Sequence, residues 1–290
     1  MCLYTKRRKT KPMITITKKK SKQNCALITG AAGLLGEEHA IALLEIHKNV
    51  ILTDINLNKL EILKKKLKKK FITSEIYSYK MDVTKEKSIA ATWKYFKKKK
   101  IIIDVLINNA AIDPKFKNDN NKIRNSRFEY FSSKNWEKEC AVGLTGSLLC
   151  SKIFGNELIR NKINGVILNI ASDLSVISPN QNIYKNKKLK NSKQPVKPVS
   201  YSVIKHGVIG LTKYLSTYWA SENIRCNALS PGPILNLQPK TLVSKLKNLI
   251  PMARLAHKNE YRSAVKFLCT DESSYMTGQN IIIDGGRSVW

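Results

Sequence analysis

The chain has 290 residues, 42% of them apolar, enough to bury a large core as one domain or as a domain with additions. It carries 52 Lys and Arg against 21 Asp and Glu, a formal net charge of +31. Such a balance would suit a polyanion, yet only nine of those cations are Arg, the residue that grips phosphate and base edges bidentately, so nucleic acid is not the expected partner.

Met1 to Lys22 is basic, acid-free and without an apolar signal core, so secretion is not expected. Three readings stay open for it: a disordered tail, an organellar transit peptide, or an upstream start with the true one at Met13. A disordered tail over residues 1–22, followed by a single domain over 23–290, is the expected arrangement.

Asn24 to Asp54 reads as strand, glycine turn, helix, strand. Cys25 to Thr29 is a short apolar run, Gly30, Gly33 and Gly36 punctuate the passage into a helix, and Val50 to Thr53 is a second buried strand ending on Asp54. Gly30 allows a tight turn, the middle glycine lets backbone approach a pyrophosphate, and Gly36 permits close helix–strand packing. The helix N-terminus favours phosphate, and a carboxylate about 18 residues beyond the last glycine suits a ribose diol while repelling a 2′-phosphate. The expected cofactor is therefore NAD rather than NADP.

Leu57 to Phe71 is a Lys-rich amphipathic helix with Leu60, Leu63 and Leu67 on one face. Ser74 to Lys80 alternates as a strand and delivers Asp82-Val83, and Thr84 is expected to cap the next helix, to about Phe96. Ile101 to Ile107 is a continuous apolar run, the mark of a strand covered on both faces, and it leads into Asn108-Asn109-Ala110-Ala111. Residues 113–135 form a long polar insertion expected to lie over a site. A helix from about Ser133 to Asn161 precedes a strand over Gly165 to Ala171, which ends at Ser172. Residues 181–198, rich in Lys and Asn, are expected to form a mobile surface loop. A helix over about Val199 to Ser221 carries Tyr201 and Lys205, and Ile224 to Leu229 runs as a strand into Pro231-Gly232. Two short helices and a last strand, Asn280 to Ile283, close the chain. Strands alternating with helices in this way predict an α/β Rossmann-type, doubly wound parallel sheet of about seven strands.

No apolar run approaches the roughly 18 residues of a membrane span. The six cysteines show no C-x-x-C pairing and the four histidines no ligand spacing, so neither metal binding nor disulfides are expected, and a reducing cytoplasm fits.

Tyr201 and Lys205 are four apart on one helix face. A free phenol titrates near 10, and a neighbouring ammonium is expected to lower that value enough for proton exchange with a substrate hydroxyl. Ser172, at a strand's carboxyl end, can bond the same substrate oxygen, and ligands of open α/β sheets bind at that edge.

Taken together, Thr29-Gly30 to Gly36, Asp82-Val83, Asn108 to Ala111, Ser172, Tyr201-x-x-x-Lys205, Pro231-Gly232 and the Thr277 to Gly286 ending resemble a classical short-chain dehydrogenase/reductase, over about Gln23 to Trp290. The resemblance implies NAD(P)-dependent oxidoreduction of a small-molecule alcohol or ketone by a homodimer or homotetramer. It implies Tyr201 as acid/base, Ser172 orienting the substrate oxygen, and Lys205 bonding the nicotinamide ribose. It also places Gly30, Gly33, Leu35 and Gly36 along the cofactor, Asp54 at the ribose, Asp82 and Val83 around adenine, Asn109 and Ala110 on the adenosine side, and Pro231, Gly232 and Ile234 by the nicotinamide. Three departures stand out. Leu34 occupies the usual middle-glycine position, a spacing commoner in the extended branch. Gly143 replaces an Asn that holds a proton-relay water, and the stretch between Ser172 and Tyr201 is longer than usual. Asn109 to Pro114, Gly143 to Gly146 and Asp284 to Trp290 further resemble dehydrogenases of bacterial surface-sugar loci, including flagellin-modification oxidoreductases linked to nonulosonic acids. That resemblance implies a sugar or sugar-phosphate substrate. A 3-oxoacyl-[acyl-carrier-protein] reductase or a catalytically weakened cofactor-binding protein are the alternatives.

Overall fold

The computed structural model describes residues 24–113, 125–186 and 189–290; the basic tail and part of the first insertion lie outside the described residues. Seven parallel strands form the sheet: β1 (Asn24–Ile28), β2 (Asn49–Asp54), β3 (Ile76–Lys80), β4 (Ile102–Asn108), β5 (Gly165–Ile170), β6 (Ile224–Pro231) and β7 (Asn280–Ile283). They are ordered β3-β2-β1-β4-β5-β6-β7, so the winding reverses between β1 and β4.

The helices are α1 (Gly36–Glu45), α2 (Leu57–Lys70), α3 (Glu86–Lys98), α4 (Ser133–Cys140), α5 (Gly146–Asn161), α6 (Val199–Tyr218), α7 (Lys240–Lys247) and α8 (Arg262–Leu268). Alternate strand residues feed two cores, as the two-residue period requires. Ala26, Ile28, Val50 and Leu52 pack with Leu43 and Leu44 of α1, Leu60 of α2 and Val265 of α8. On the other face, Cys25, Leu27 and Ile51 pack with Trp93 of α3, Phe154 of α5 and Leu215 of α6. The doubly wound sheet predicted from the pattern is thus present, and the cysteines at 25, 150, 226 and 269 are free and buried within it.

Two local expectations are corrected and one is refined. Thr84 does not cap α3: its hydroxyl donates to Asp82 Oδ1 at 2.7 Å, and Lys85 occupies the cap. The expected helix over Ser133 to Asn161 is present and continuous, with a π turn, Ala141–Thr145, within it between α4 and α5. The second insertion is not a free loop. Ile183 is buried against Leu246, Ile250 and Leu255, and the Gln194 amide donates to the carbonyls of Asn186 and Leu189. Ser126 Oγ accepts from the Val196 amide and Arg127 donates to the Asn191 carbonyl at 3.0 Å, so the described parts of both insertions pack on each other.

His39 of α1 is 1% exposed and neither ring nitrogen has a hydrogen-bond partner. Burial pushes its pKa down to about 4, against weaker opposing effects of Asn109 and Glu38. Between that value and 6.5 the unfolded chain binds a proton that the folded ring refuses, so stability falls as pH drops through this window. From pH 7 to 4 the wild type should lose about 3 kcal/mol more than His39→Leu in urea unfolding; parallel pH profiles would disprove the assignment.

Candidate active site

The sequence-predicted residues meet at the carboxyl edge of the sheet. Gly30 adopts a left-handed φ of +59°, and a Cβ there would stand 2.8 Å from Ala110 Cα. The turn is braced from β4: Thr29 Oγ1 accepts from the amides of Asn109 and Ala110, and the Asn109 side chain donates to the carbonyls of Thr29 and Gly30. Gly33, Leu35 and Gly36 follow, and no side chain caps the first turn of α1. Its N–H groups therefore remain available to an anion. Glu37 and Glu38 in that turn are neutralised by Lys66 at 2.6 Å and Arg262 at 2.5 Å respectively.

Asp54 closes β2 beside the turn, accepting from the amides of Ala32 at 3.3 Å and Asn56 at 3.0 Å. Asp82 follows β3. Partial burial works against its carboxylate, but bonds from Thr84 and Lys85 outweigh this and hold it below the usual range. Val83 packs beside Gly146, Pro231 ends β6, and Gly232 follows it with Ile234 bridged to Ala256. A backbone turn open to phosphate, an uncapped helix end and a carboxylate on the neighbouring strand fit a dinucleotide.

Ser172 lies two residues beyond β5, and Tyr201 and Lys205 lie in the first two turns of α6. Lys205 Nζ donates to the Ile170 carbonyl at 2.8 Å, pinning helix to strand end, and lies 5.8 Å from the Tyr201 ring centre. Ser172 Oγ donates to Asp173 Oδ1 at 2.8 Å, and Asp173 Oδ2 pairs with Arg287 at 2.5 Å.

The electrostatics correct one expectation. Burial pushes the Tyr201 phenol well above its ordinary value and Asp113 and Asp173 add to this, while the Ser172 hydroxyl opposes it. Lys205 is itself pushed down to about 8 by burial. Desolvation of the phenolate, invisible in residue spacing, dominates the shift.

Sequence reasoning missed Lys197. It comes from the second insertion, places its Nζ 3.6 Å from the Tyr201 ring centre and pairs with Asp113 Oδ1 at 2.7 Å. Asp173 and Arg287 were missed too; adjacency to Ser172 could have flagged the first, but no local signal marks the second. At Gly143 a Cβ would stand 2.7 Å from Ile204 Cγ2, so α6 occupies the space that the family's Asn would need.

A family model described as enoyl-(acyl carrier protein) reductase matches residues 30–288. The NAD-dependent glycerol dehydrogenase of Listeria innocua is 30% identical over 91% of this chain and 93% of its own. The 3-oxoacyl-[acyl-carrier-protein] reductase of Buchnera aphidicola is 32% identical over 92% and 98%. The crystal structure of an NAD+-bound xylitol dehydrogenase superposes with a TM-score of 0.78 at 27% identity, covering 92% of this chain and all of that one. With a match spanning nearly the whole described fold, and relatives at 30% identity or more over nine-tenths of the sequence, the chain belongs to the classical short-chain dehydrogenase/reductase family, oxidoreductases that act on CH–OH groups with a nicotinamide cofactor.

Proposed function

We propose that this chain is an NAD-linked oxidoreductase interconverting a secondary alcohol and a ketone on a sugar or sugar phosphate, within surface-glycan biosynthesis. One observation carries the reading: the glycine turn with Asp54 and the group Ser172, Tyr201 and Lys205 share one sheet edge, as a cofactor and the carbon it reacts with must. The glycerol and xylitol dehydrogenases among its relatives support a polyhydroxy substrate. Lys197 beside the phenol supports an anionic group on it, and the resemblance at Asp284 to Trp290 supports the surface-sugar setting. A 3-oxoacyl-[acyl-carrier-protein] reductase is the second reading, favoured by the Buchnera relative and the basic surface.

When bound, the nicotinamide accepts or donates the hydride. Asp54 takes the adenosine ribose hydroxyls, Asp82 and Val83 flank adenine, and Gly30, Gly33, Leu35 and Gly36 lie along the pyrophosphate. Asn109 and Ala110 hold the turn against the adenosine side, and Pro231, Gly232 and Ile234 border the nicotinamide. Tyr201 gives its proton to a ketone oxygen, or as phenolate takes one from an alcohol. Ser172 positions that oxygen. Lys205 bonds the nicotinamide ribose and stabilises the phenolate through its charge. Buried free thiols suit a reducing cytoplasm, and the exposed stacked pair Tyr214 and Tyr218 suits a homodimer or homotetramer.

Screening by NADH absorbance should find turnover of polyols, hydroxy sugars or sugar phosphates, whereas turnover confined to acyl-thioester ketones would establish the second reading. Tyr201→Phe should cost at least about 100-fold in kcat while NADH still binds; retained turnover would place the acid/base elsewhere. Asp54→Ala should relax the NAD over NADP preference in kcat/KM by about tenfold, and an unchanged ratio would remove Asp54 from the ribose. Lys197→Met should raise KM about tenfold for a sugar phosphate and leave that for a neutral polyol unchanged. An equal rise for both would make Lys197 structural.

A further inference from the structure

Two ammonium groups flank the ring of Tyr201. Lys197 Nζ lies 3.6 Å from the ring centre and Lys205 Nζ 5.8 Å from it. Lys205 is fixed on the Ile170 carbonyl at 2.8 Å, whereas Lys197 is fixed by a carboxylate, Asp113 Oδ1, at 2.7 Å. The two members of that ion pair are unequally placed. The Lys197 side chain is 12% exposed, with its ammonium over the ring, and the Asp113 side chain is 59% exposed. Turning out to solvent costs Asp113 little, because its carboxylate is already largely hydrated. The same move would take Lys197 off the aromatic face. The carboxylate is therefore the partner that can leave.

Its departure does not undo the packing of the two insertions. Ser126 Oγ still accepts from the Val196 amide at 3.3 Å, and Arg127 still donates to the Asn191 carbonyl at 3.0 Å. What it does remove is a counter-charge. Asp113 favours the charged form of Lys205 and Lys197 disfavours it. The other carboxylate facing the phenol, Asp173, is already paired with Arg287. A neutral hydroxyl standing in for Asp113 would leave two ammonium groups beside one ring uncompensated. An anion would not.

We propose that Asp113 is a specificity-determining residue, an internal competitor for Lys197, so that a phosphate monoester enters by exchanging with it while a neutral polyol enters with the ion pair intact. The inference rests on the sugar-phosphate reading of Lys197 given above and adds the group that such a substrate displaces. The apparent affinity for an anion is its intrinsic affinity reduced by the fraction of enzyme in which Lys197 is unpaired. A phosphate, with a charge of roughly −1.5 to −2 at pH 7 and three acceptor oxygens, out-competes a single side-chain carboxylate. A carboxylate on the substrate brings the same charge as Asp113 and gains little by the exchange.

The test is a calorimetric titration of the NADH-loaded enzyme with inorganic phosphate, the cofactor keeping phosphate off the glycine turn. Comparison with Lys197→Met separates phosphate bound at this site from phosphate held by surface lysines. Asp113→Asn and Asp113→Ser each remove the competitor at a largely exposed position. In both, the Lys197-dependent site should bind phosphate about three- to fivefold more tightly than in the wild type, the factor expected on releasing a partly exposed ion pair. Equal affinity in wild type and variants would overturn the proposal. So would weaker binding in the variants, which would make Asp113 the group that aims Lys197. A titration indistinguishable between wild type and Lys197→Met would put all the phosphate elsewhere and overturn it as well.

Steady-state kinetics give a second readout. For glycerol 3-phosphate against glycerol, and xylitol 5-phosphate against xylitol, the ratio of phosphorylated to neutral KM should fall about three- to fivefold in Asp113→Asn. An unchanged or higher ratio would count against the exchange. If neither phosphorylated polyol is turned over, the sugar-phosphate reading fails and the phosphate titration decides this proposal by itself.

Discussion

An ammonium cut off from bulk water is what the site is built around. Lys205 is 7% exposed, with its Nζ on a single backbone carbonyl at the end of β5. A charge in such a place needs fixed dipoles in return, and its depressed pKa shows that compensation is incomplete. The contact also sets a register. One residue of slip along α6 would swing the ammonium about 100° around the helix and off the Ile170 carbonyl. Below it, a buried polar ladder resists such a slip: Asn108 Nδ2 reaches Asn169 Oδ1 at 2.8 Å and Ser151 Oγ at 3.0 Å, and Asn169 Nδ2 reaches Thr212 Oγ1 at 2.9 Å. β4, β5, α5 and α6 are thereby tied by side-chain bonds as well as by apolar packing, so Tyr201 sits on a scaffold with little freedom to shift.

Much of this was legible in the chain itself, for definite reasons. Ile101 to Ile107 could only be a strand covered on both faces, and Leu60, Leu63 and Leu67 could only line one side of a helix. The glycine turn declared itself because Gly30 needs a conformation that side chains resist. What escaped was whatever depends on one anchor in a polar background. Residues 181–198 have the composition of a solvated loop, yet burial of Ile183 and Gln194 suffices to hold the segment down and bring Lys197 over the phenol. The direction of the Tyr201 shift escaped for a related reason. Four-residue spacing shows that an ammonium is near; it says nothing about how much water the fold takes from the phenolate.

Gly143 shows how a departure from a family pattern acquires a physical cause. Its carbonyl accepts from Ser147 Oγ, it lies within the π turn, and Ile204 fills the space where a side chain would project. Since Ile204 immediately precedes Lys205, any residue larger than glycine at this position would press on the segment that carries the buried ammonium. No side chain at this position is available to anchor a water, because Ile204 fills the space into which one would project.

The C-terminal segment explains how Arg287, remote in sequence, comes to hold Asp173. Gly285 and Gly286 adopt φ of +69° and +88°, consecutive left-handed positions that would cost an L-residue roughly 1–2 kcal/mol each. Asp284 accepts from the amides of Gly286 and Ser288, closing the turn on itself. This reversal just past β7 brings the guanidinium back to Asp173, beyond the end of β5. The Asp-Gly-Gly ending therefore does electrostatic as well as conformational service: it delivers a cation to Asp173, whose other oxygen accepts from Ser172 at the end of β5.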